Sequence, residues 1–272
     1  MRIRFARPRD RRVVAALCRR AVGRDDYVLR LLDDVIRDGG LLVAFEGTRA
    51  VAMMNSIEVT DGSLWLSMAR TDPRHQGRGV AAALVKRLAS IARRRGVRQL
   101  RLWTNGTNRR GNAAAKRAGF HEVGRFVGAI RKPLRQAPRS RDARPVMGSA
   151  LLRSGIVRDG RGYLLLGWYF VPATVPVLRS FSRQGILRRL GRTWVASPHA
   201  LKPGEFEWFE FAVLRGDAAE ALREGARLAH AAKAQRAFTY LPRGKVYLAA
   251  IRKAGYHVPD WATDVVLYER RL

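Results

Sequence analysis

The sequence predicts an α/β protein in which helices flank a sheet, arranged as two domains. Three observations support this prediction. The chain has 272 residues, more than one hydrophobic core usually serves. Residues 1–131 alternate strand-like apolar segments with helix-like periodic segments. The second half closes with the same order of elements as the first half.

The elements of the first half follow from apolar periodicity and turn signals. Asp10 is expected to cap a first helix, and Asp61-Gly62 is a hairpin signal. Gly39-Gly40, Gly96 and Gly119 are expected to end the helices. The predicted strands cover residues 2–6, 41–46, 50–59, 63–70, 98–103 and 120–131, and the predicted helices cover 11–21, 25–38, 80–95 and 108–118.

A basic linker and a second domain follow. Residues 132–149 contain three prolines among arginines with little apolar periodicity, which is typical of a linker. Ala254-Gly255-Tyr256-His257 then matches Ala118-Gly119-Phe120-His121, which indicates an internal duplication. The sequence therefore divides into domains at 1–131 and 150–272. The second domain is predicted to hold strands at 163–171, 192–196, 206–214, 237–241 and 264–270, and helices at 176–183, 217–234 and 244–254.

The composition limits the function classes. The net charge is +31, with 53 basic and 22 acidic side chains, and the excess is spread over both halves. Such a surface attracts nucleic acid or anionic ligands, although a general arginine bias explains it better. The single cysteine, Cys18, excludes an intrachain disulfide and a thiolate metal site, and no metal site is predicted. No signal segment or membrane span is recognisable, so a cytoplasmic protein without membrane contact is expected; the oligomeric state is left open.

The most informative stretch joins an apolar strand at residues 64–69 to a helix that starts at Val80. Gly77 and Gly79 lie between them. A strand-to-helix junction points backbone N–H groups and the positive end of the helix dipole at one spot. Glycine lets a ligand approach the backbone closely. The junction is therefore expected to bind a phosphate or diphosphate.

Two general phosphate-binding motifs fit this junction poorly. A P-loop needs Lys-Ser/Thr after its last glycine, but Val80-Ala81 stands there. A dinucleotide fingerprint is formally met by residues 77–82, but a hairpin precedes the strand. No carboxylate occurs from Pro73 to His121 to bind a ribose. NADP binding is kept as an alternative.

A third interpretation rests on resemblance. Residues 76–81, Gln-Gly-Arg-Gly-Val-Ala, resemble the Q/R-x-x-G-x-G/A loop of the GCN5-related N-acetyltransferase (GNAT) superfamily, and Asn108 stands eleven residues before Gly119-Phe120, as in the second motif of that family. The resemblance implies a GNAT fold, with a mixed, mostly antiparallel sheet flanked by helices, in two tandem GNAT-like domains. It also implies acetyl-CoA as co-substrate. The implied acetyl-CoA contacts are Ala69, Arg70, Thr71, Gln76, Gly77, Arg78, Gly79, Val80, Ala81 and Asn108.

The resemblance also implies a reaction, transfer of acetyl to a primary amine of a small molecule or peptide. The family often places a proton-donating Tyr seven residues after the Asn, but Ala115 stands here. The catalytic groups are therefore unknown, and Glu58 and Tyr240 are weak candidates. A non-catalytic acetyl-CoA-binding regulatory or interaction protein is the alternative, and nucleic-acid binding through the basic charge is a further one.

The corresponding junction of the second domain departs from the family pattern. It keeps Gly216 but places Asp217 and Glu220 where a diphosphate would sit, and Gly244 replaces the Asn. Like charge opposes diphosphate binding. Residues 150–272 are therefore expected to be a degenerate GNAT-like domain without cofactor. Its aromatic runs at 168–170 and 206–209 are expected to pack in the core and between the domains, with a wall of the acceptor site as the alternative.

Overall fold

The computed structural model describes residues 1–143, 149–197 and 207–272. The chain divides into two compact units. The first, unit 1, consists of Met1–Leu102, Arg109–His121 and Tyr268–Leu272. The second, unit 2, consists of Trp103–Asn108 and Glu122–Leu267. Each unit therefore consists of more than one segment of the chain. The linear division into 1–131, 132–149 and 150–272 stays a prediction.

Unit 1 is an α/β unit built on a mostly antiparallel sheet. Its strands follow the order β1-β2-β3-β4-β5, and only the β4–β5 pair is parallel. The elements are β1 (Arg2–Phe5), α1 (Arg11–Ala21), α2 (Val28–Arg37), β2 (Leu41–Glu46), β3 (Arg49–Glu58), β4 (Leu64–Thr71), α3 (Val80–Arg94), β5 (Gln99–Asn105, whose last three residues belong to unit 2) and α4 (Arg109–Arg117).

The core of unit 1 forms where apolar helix faces cover the buried strands β2 and β3. Leu17 and Cys18 of α1 and Leu32 of α2 are fully buried there. Asp10 does not cap α1 as predicted. Its carboxylate instead accepts hydrogen bonds from both terminal nitrogens of Arg4, at 2.6 and 2.8 Å, and from the N–H of Arg7. A charged donor pair competes successfully for this carboxylate because charge-assisted bonds are stronger than a cap bond.

A buried arginine ties the end of the chain into unit 1. Arg101 on β5 is 1% exposed. It donates to Asp61 at 2.7 Å and to Glu269 at 2.8 Å, and the Leu272 N–H donates to the Arg98 carbonyl. Two carboxylates compensate the buried guanidinium, as a buried charge requires.

Unit 2 holds the remaining elements. Its first sheet has the order β15-β6-β14-β12, its second β13-β11-β10-β7, and β8 pairs with β9 as a hairpin. The elements are β6 (His121–Arg131), β7 (Arg141–Asp142), α5 (Ser149–Leu152), α6 (Gly155–Asp159), β8 (Tyr163–Leu166), β9 (Tyr169–Pro172), α7 (Val175–Arg183), β10 (Leu187–Leu190), β11 (Thr193–Ala196), β12 (Trp208–Glu210), β13 (Ala212–Arg215), α8 (Ala218–Ala231), β14 (Arg236–Pro242), α9 (Lys245–Lys253) and β15 (Val265–Arg271, which continues into unit 1).

Several predicted elements of unit 2 change in the structure. The strand expected at 163–171 is a hairpin that turns at Gly167, where φ is +66°. The strand expected at 206–214 is divided at Phe211 into β12 and β13, which belong to different sheets. Its first residue, Phe206, lies outside the described residues. The expected strand at 192–196 is β11, and β10 before it was not predicted.

The segment predicted as a linker is bound to α8 over its described part. The buried carboxylate of Glu224 accepts from the N–H groups of Arg139 and Ser140, both at 2.8 Å, and from the Ser140 hydroxyl at 2.7 Å. Arg141 and Asp142 then form β7. Sequence composition missed these bonds because Glu224 lies 84 residues downstream of Ser140. Residues 144–148, including Pro145, lie outside the described residues.

Candidate functional site

The strand that leads to the glycine junction carries a β-bulge. Along β4, Ser67 lies opposite Asn55 and Arg70 lies opposite Met53, so Met68 and Ala69 share one position on the partner strand. Met68 has φ +54°, which is left-handed. A bulge of this kind redirects the backbone and its hydrogen-bonding groups. No glycine stands at this position, so no local residue in the sequence marks the bulge.

The bulge lies beyond the β4–β5 ladder. The parallel pairing consists of Leu64 with Leu100 and Trp65 with Arg101, whereas β4 continues to Thr71. The predicted contact residues Ala69, Arg70 and Thr71 therefore belong to a part of β4 that pairs with β3 only. The sequence expectation that their backbone groups bind the pantetheine amides stays a prediction.

Ion pairs fix the side chains on both sides of Thr71. The Arg70 guanidinium binds the buried Asp26 carboxylate through two nitrogens, at 2.7 and 2.8 Å, so only the Arg70 backbone is available to a ligand. Asp72 is 1% exposed and accepts from Arg20 at 2.7 Å and Arg49 at 2.8 Å. Burial alone would raise the pKa of Asp72, but these guanidinium groups hold it well below its usual range. Asp72 thus serves as the buried ion-pair partner of Arg20 and Arg49.

The glycine junction has the backbone geometry that the sequence predicts. Gly77 has φ +79° and Gly79 has φ +75°, values that residues with a side chain rarely adopt. A Cβ built at either glycine would meet no atom within 4 Å. The approach to this backbone is therefore open.

The start of α3 offers unsatisfied donors. Gly79 is the N-cap residue of α3, and no side chain caps the helix. Within the described turns and caps, Arg78 and Ala83 donate to backbone carbonyls, whereas the N–H groups of Gly77 and residues 79–81 do not. Together with the helix dipole, these groups form an anion-binding arrangement. Val80 contributes only its backbone because its side chain is buried.

Basic and polar side chains surround the junction. Arg74 and Arg78 are exposed on it. Gln76 donates to the Thr71 carbonyl at 3.4 Å and accepts from the Arg110 guanidinium at 2.9 Å, which links the junction to α4. His75 lies 3.0 Å from the Glu46 carboxylate. The junction is thus held in place by its own side chains.

Asn108 lies in unit 2, directly before α4. Its side chain donates to the Thr104 hydroxyl at 3.0 Å, and its N–H donates to the Asn105 carbonyl. The structure therefore gives Asn108 local partners in its turn. Its expected contact with acetyl-CoA stays a prediction.

The weak catalytic candidates lie in different settings. Glu58 is exposed at the end of β3, opposite Leu64 at the start of β4. Tyr240 is 4% exposed in unit 2 and packs against Phe238, Phe170 and Trp103 at ring-centroid distances of 4.8, 5.3 and 5.9 Å. Ala115 is buried in α4.

The corresponding helix start of unit 2 is already occupied by the chain itself. Asp217 caps α8, and its carboxylate accepts the Glu220 N–H at 2.7 Å. The Glu220 carboxylate in turn accepts from the Thr193 hydroxyl at 2.5 Å. Gly244 caps α9 without a side-chain bond. The start of α8 therefore carries a side-chain cap that the start of α3 lacks.

Membrane-spanning helices and metal-binding clusters are both absent from the described residues. No helix there is long and apolar enough to cross a bilayer. No group of three or more His, Cys, Asp or Glu side chains there has the arrangement of a metal site.

Comparison with solved structures supports the fold over the whole chain. A structure from Thermoplasma acidophilum is 17% identical, with a TM-score of 0.65 and full coverage of both chains. A GCN5-related N-acetyltransferase from Sphaerobacter thermophilus is 16% identical, with a TM-score of 0.60 and coverage of 99% of this chain and 95% of that one. A GCN5-related N-acetyltransferase from Kribbella flavida is 15% identical, with a TM-score of 0.51, over 100% and 71% of the two chains. At these identities the likeness shows the fold, which is the predicted GNAT fold.

Comparison of sequences identifies the domain. No curated protein matches the chain significantly. Residues 13–120 match the profile of the acetyltransferase (GNAT) family, whose acetyl donor is acetyl-CoA. The matched segment contains the bulged strand, the glycine junction and α4. Residues 13–120 of this chain therefore form a domain of the acetyltransferase (GNAT) family, with acetyl-CoA as its co-substrate.

Proposed function

We propose that the protein is an N-acetyltransferase that moves the acetyl group of acetyl-CoA to a primary amine of a small molecule or peptide. One observation carries the proposal: the open start of α3, where Gly77 and Gly79 have positive φ and an added Cβ would meet nothing. The backbone N–H groups of Gly77 and residues 79–81 fit the diphosphate, with the Arg74 and Arg78 side chains beside it. We place this activity in the cytoplasm.

In this reaction the amine nitrogen attacks the thioester carbonyl carbon, the C–S bond breaks, the thiolate takes up a proton, and the ammonium nitrogen loses one. The chain's part is to orient the two reactants, which supplies a large share of the rate gain. The backbone of Ala69, Arg70 and Thr71 pairs with the pantetheine amides, and Asn108 supports the acetyl end. Glu58 is the base candidate and Tyr240 the acid candidate, with water as the carrier of protons.

We assign binding of acetyl-CoA to the first domain alone and regard 150–272 as a degenerate copy. The capped start of α8 supports this assignment because Asp217 already satisfies an N-terminal donor that a diphosphate would need. Repulsion between the carboxylate and a diphosphate adds to the effect.

A second candidate function is acetyl-CoA binding without catalysis, as in a regulatory protein. Two observations favour it. Alanine stands at position 115, where the family often places its acid, and that position is buried. The carboxylates of Asp61 and Asp72 are both held by arginines, which leaves little general-base capacity nearby.

Turnover separates the two functions. Free thiol release from acetyl-CoA is measured with a panel of primary amines and peptide N-termini, using the full chain. Amine-dependent release that falls at least about tenfold in Glu58→Gln or Tyr240→Phe, but not in the exposed control Asp25→Asn, supports catalysis by those groups. Tight acetyl-CoA binding without turnover over the panel would favour the regulatory alternative. Stabilisation by NADPH and not by acetyl-CoA would reject both.

A further inference from the structure

The positive charge of the first half of the chain is concentrated in one segment. Residues 1–72 carry 13 basic and 10 acidic side chains, whereas residues 73–121 carry 13 basic side chains and no acidic one. A general arginine bias raises the number of basic groups, but it does not remove carboxylates. The local excess is therefore a property of residues 73–121 and needs its own explanation.

Most of the basic side chains in this segment reach solvent. Arg101 is buried in its ion pairs, and the other twelve are exposed. Four of the twelve lie on one helix of unit 1, α3: they are Lys86, Arg87, Arg93 and Arg94. We call these four residues the basic face.

Helical spacing places the basic face on one side of α3. Side chains seven residues apart lie two turns apart on the same side of a helix, about 10 Å along its axis. Lys86 and Arg93 have this spacing, and the other two members follow one position later. The remaining side of α3 is apolar and buried, and consists of Val80, Leu84, Val85, Leu88, Ala89 and Ala92.

The sheet separates the basic face from the acidic helix α2. Val43 and Phe45 of β2 pack in the core with α1 and α2. Because side chains alternate along a strand, the buried Ala44 points to the other face of the sheet, against which α3 packs. The exposed carboxylates of Asp33 and Asp34 on α2 therefore lie across the sheet from the basic face.

The basic face has no carboxylate partner among the described residues. Elsewhere in unit 1 the arginines are often paired: Arg20 and Arg49 share Asp72, and Arg70 holds Asp26. On the basic face, Arg94 donates to the neutral hydroxyl of Ser90 at 2.8 Å. The charge of this face is thus left uncompensated within the described part of the chain.

The helix dipole accounts for only part of this charge. Arg93 and Arg94 lie in the last turn of α3, where the dipole stabilises cations. Lys86 and Arg87 lie in the middle of the helix, where this effect has decayed. Neighbouring cations also repel one another, so an external anion would offset an unfavourable interaction on this face.

The side chains present favour a phosphate backbone as that anion. Three of the four members are arginines, whose guanidinium groups donate in a fork to phosphate oxygens. No large apolar side chain is exposed on α3, all of which is described, so the helix lacks the anchor that membrane and protein interfaces use. The helix also has no aromatic residue on which an unpaired base could stack.

We propose that the basic face binds the phosphate backbone of a nucleic-acid duplex without reading its sequence. Each member can neutralise a phosphate and release its counterions, so binding weakens as salt concentration rises. Duplex binding does not depend on the proposed acetyl transfer. It uses the exposed side of α3, whereas the diphosphate is assigned to the backbone at the start of that helix.

The test is fluorescence anisotropy of the full chain with labelled DNA and RNA duplexes of about 20 base pairs, from about 50 to 200 mM KCl. We expect the logarithm of the binding constant to fall with that of the salt concentration with a slope of about −3 or steeper. Replacing all four members by glutamine should weaken binding at least about tenfold and make the slope shallower by about 2 or more. The variant is Lys86→Gln, Arg87→Gln, Arg93→Gln and Arg94→Gln.

The matched control removes the same number of charges from exposed arginines of α1, α2 and the turn between them. It is Arg12→Gln, Arg19→Gln, Arg24→Gln and Arg30→Gln. Both variants have the same net charge, so their difference reports the location of the charge. The control should weaken binding less than about threefold. Lys86→Gln with Arg87→Gln leaves the last turn of α3 unchanged and should still weaken binding at least about threefold, which keeps the test valid if the fourfold variant does not fold.

Equal losses in the fourfold variant and in its control would overturn the proposal, because the total charge alone would then explain binding. Equally tight binding of polyglutamate, or binding of phosphatidylserine vesicles in place of the duplexes, would also overturn it. A preference for one duplex supports the proposal and identifies the source of the backbone. Acetyl-CoA affinity of the fourfold variant should stay within about twofold of the parent. A parallel loss of acetyl-CoA affinity would assign the basic face to the co-substrate instead.

Discussion

The carboxylate of Asp217 accepts a hydrogen bond from the N–H of Glu220 at 2.7 Å and thereby caps α8. At the matching helix start in the first half, Gly79 has no side chain and leaves the N–H groups of α3 without a cap. The N-terminus of the helix thus has a side-chain cap in the second half of the chain and none in the first half. The proposed division of labour between the halves rests on this difference.

Asp217→Ala should destabilise the protein by about 1 kcal/mol, because α8 loses its N-cap. Acetyl-CoA affinity should not change. Urea denaturation and calorimetry measure the two quantities. Thr174→Ala is the matched control, since Thr174 caps α7 in the same unit through the Val177 N–H. A loss of acetyl-CoA affinity in Asp217→Ala alone would show that unit 2 takes part in binding the co-substrate.

Arg101→Met should destabilise the protein by about 3–5 kcal/mol. The substitution leaves the carboxylates of Asp61 and Glu269 in a buried setting without their partner, and such a loss is strongly destabilising. The exposed Arg98→Met is the control and should cost less than about 0.5 kcal/mol. Equal urea midpoints for the two variants would contradict the assignment of Arg101 as the anchor of the C-terminal segment.

Local patterns predicted the elements of the first half well. The glycine positions that need positive φ, including Gly77 and Gly79, follow from rules that act over a few residues, whereas α2 begins at Val28 and not at the predicted residue 25. The bulge at Met68 could not be predicted, because it depends on how β4 pairs with β3 and no local residue marks it. Asp72 is the same kind of case. Its buried carboxylate is held by Arg20 and Arg49, which lie 52 and 23 residues away in sequence, so no local pattern marks this burial.

Long-range pairing also explains why the strands of the second half were predicted incorrectly. Apolar runs at 163–171 and 206–214 each read as one strand, but each contributes two, because Gly167 turns the chain and Phe211 changes sheets. The aromatic residues at 168 and 208 were expected to be core packing. The structure buries Phe170 and Phe209 of the same runs as expected, whereas Trp168 is 43% exposed.

The Arg4–Asp10 pair should make stability depend on pH in the acid range. The hydrogen bonds from Arg4, opposed by burial, lower the pKa of Asp10 from 3.8 to about 2. Because the folded pKa lies below the unfolded one, the stabilisation is complete above about pH 5 and is lost as the pH falls toward 2. Complete protonation of Asp10 should lower the free energy of unfolding by about 2 kcal/mol.

Urea denaturation of the parent and of Asp10→Asn at pH 6 and pH 3 measures this contribution. The parent should lose more stability than the variant between the two pH values. The exposed Asp25→Asn should follow the parent. A difference between pH 6 and pH 3 that is the same in Asp10→Asn as in the parent would show that another group controls the acid response.

The glycine junction offers the most direct test of the central claim, that acetyl-CoA is held on the backbone at the start of α3. Gly79→Ala and Gly62→Ala introduce the same side chain at the same φ, +75°, and both positions are open to solvent. Both substitutions should therefore lower the free energy of unfolding by a similar amount, about 1–2 kcal/mol. Gly62 lies in the hairpin before β4 and serves as the matched control.

Calorimetric titration of the parent and the two variants with acetyl-CoA is the deciding measurement. We predict one binding site per chain, affinity at least about tenfold weaker in Gly79→Ala because the added Cβ blocks the diphosphate approach, and affinity within about twofold of the parent in Gly62→Ala. Equal affinities in Gly79→Ala and Gly62→Ala would contradict the account.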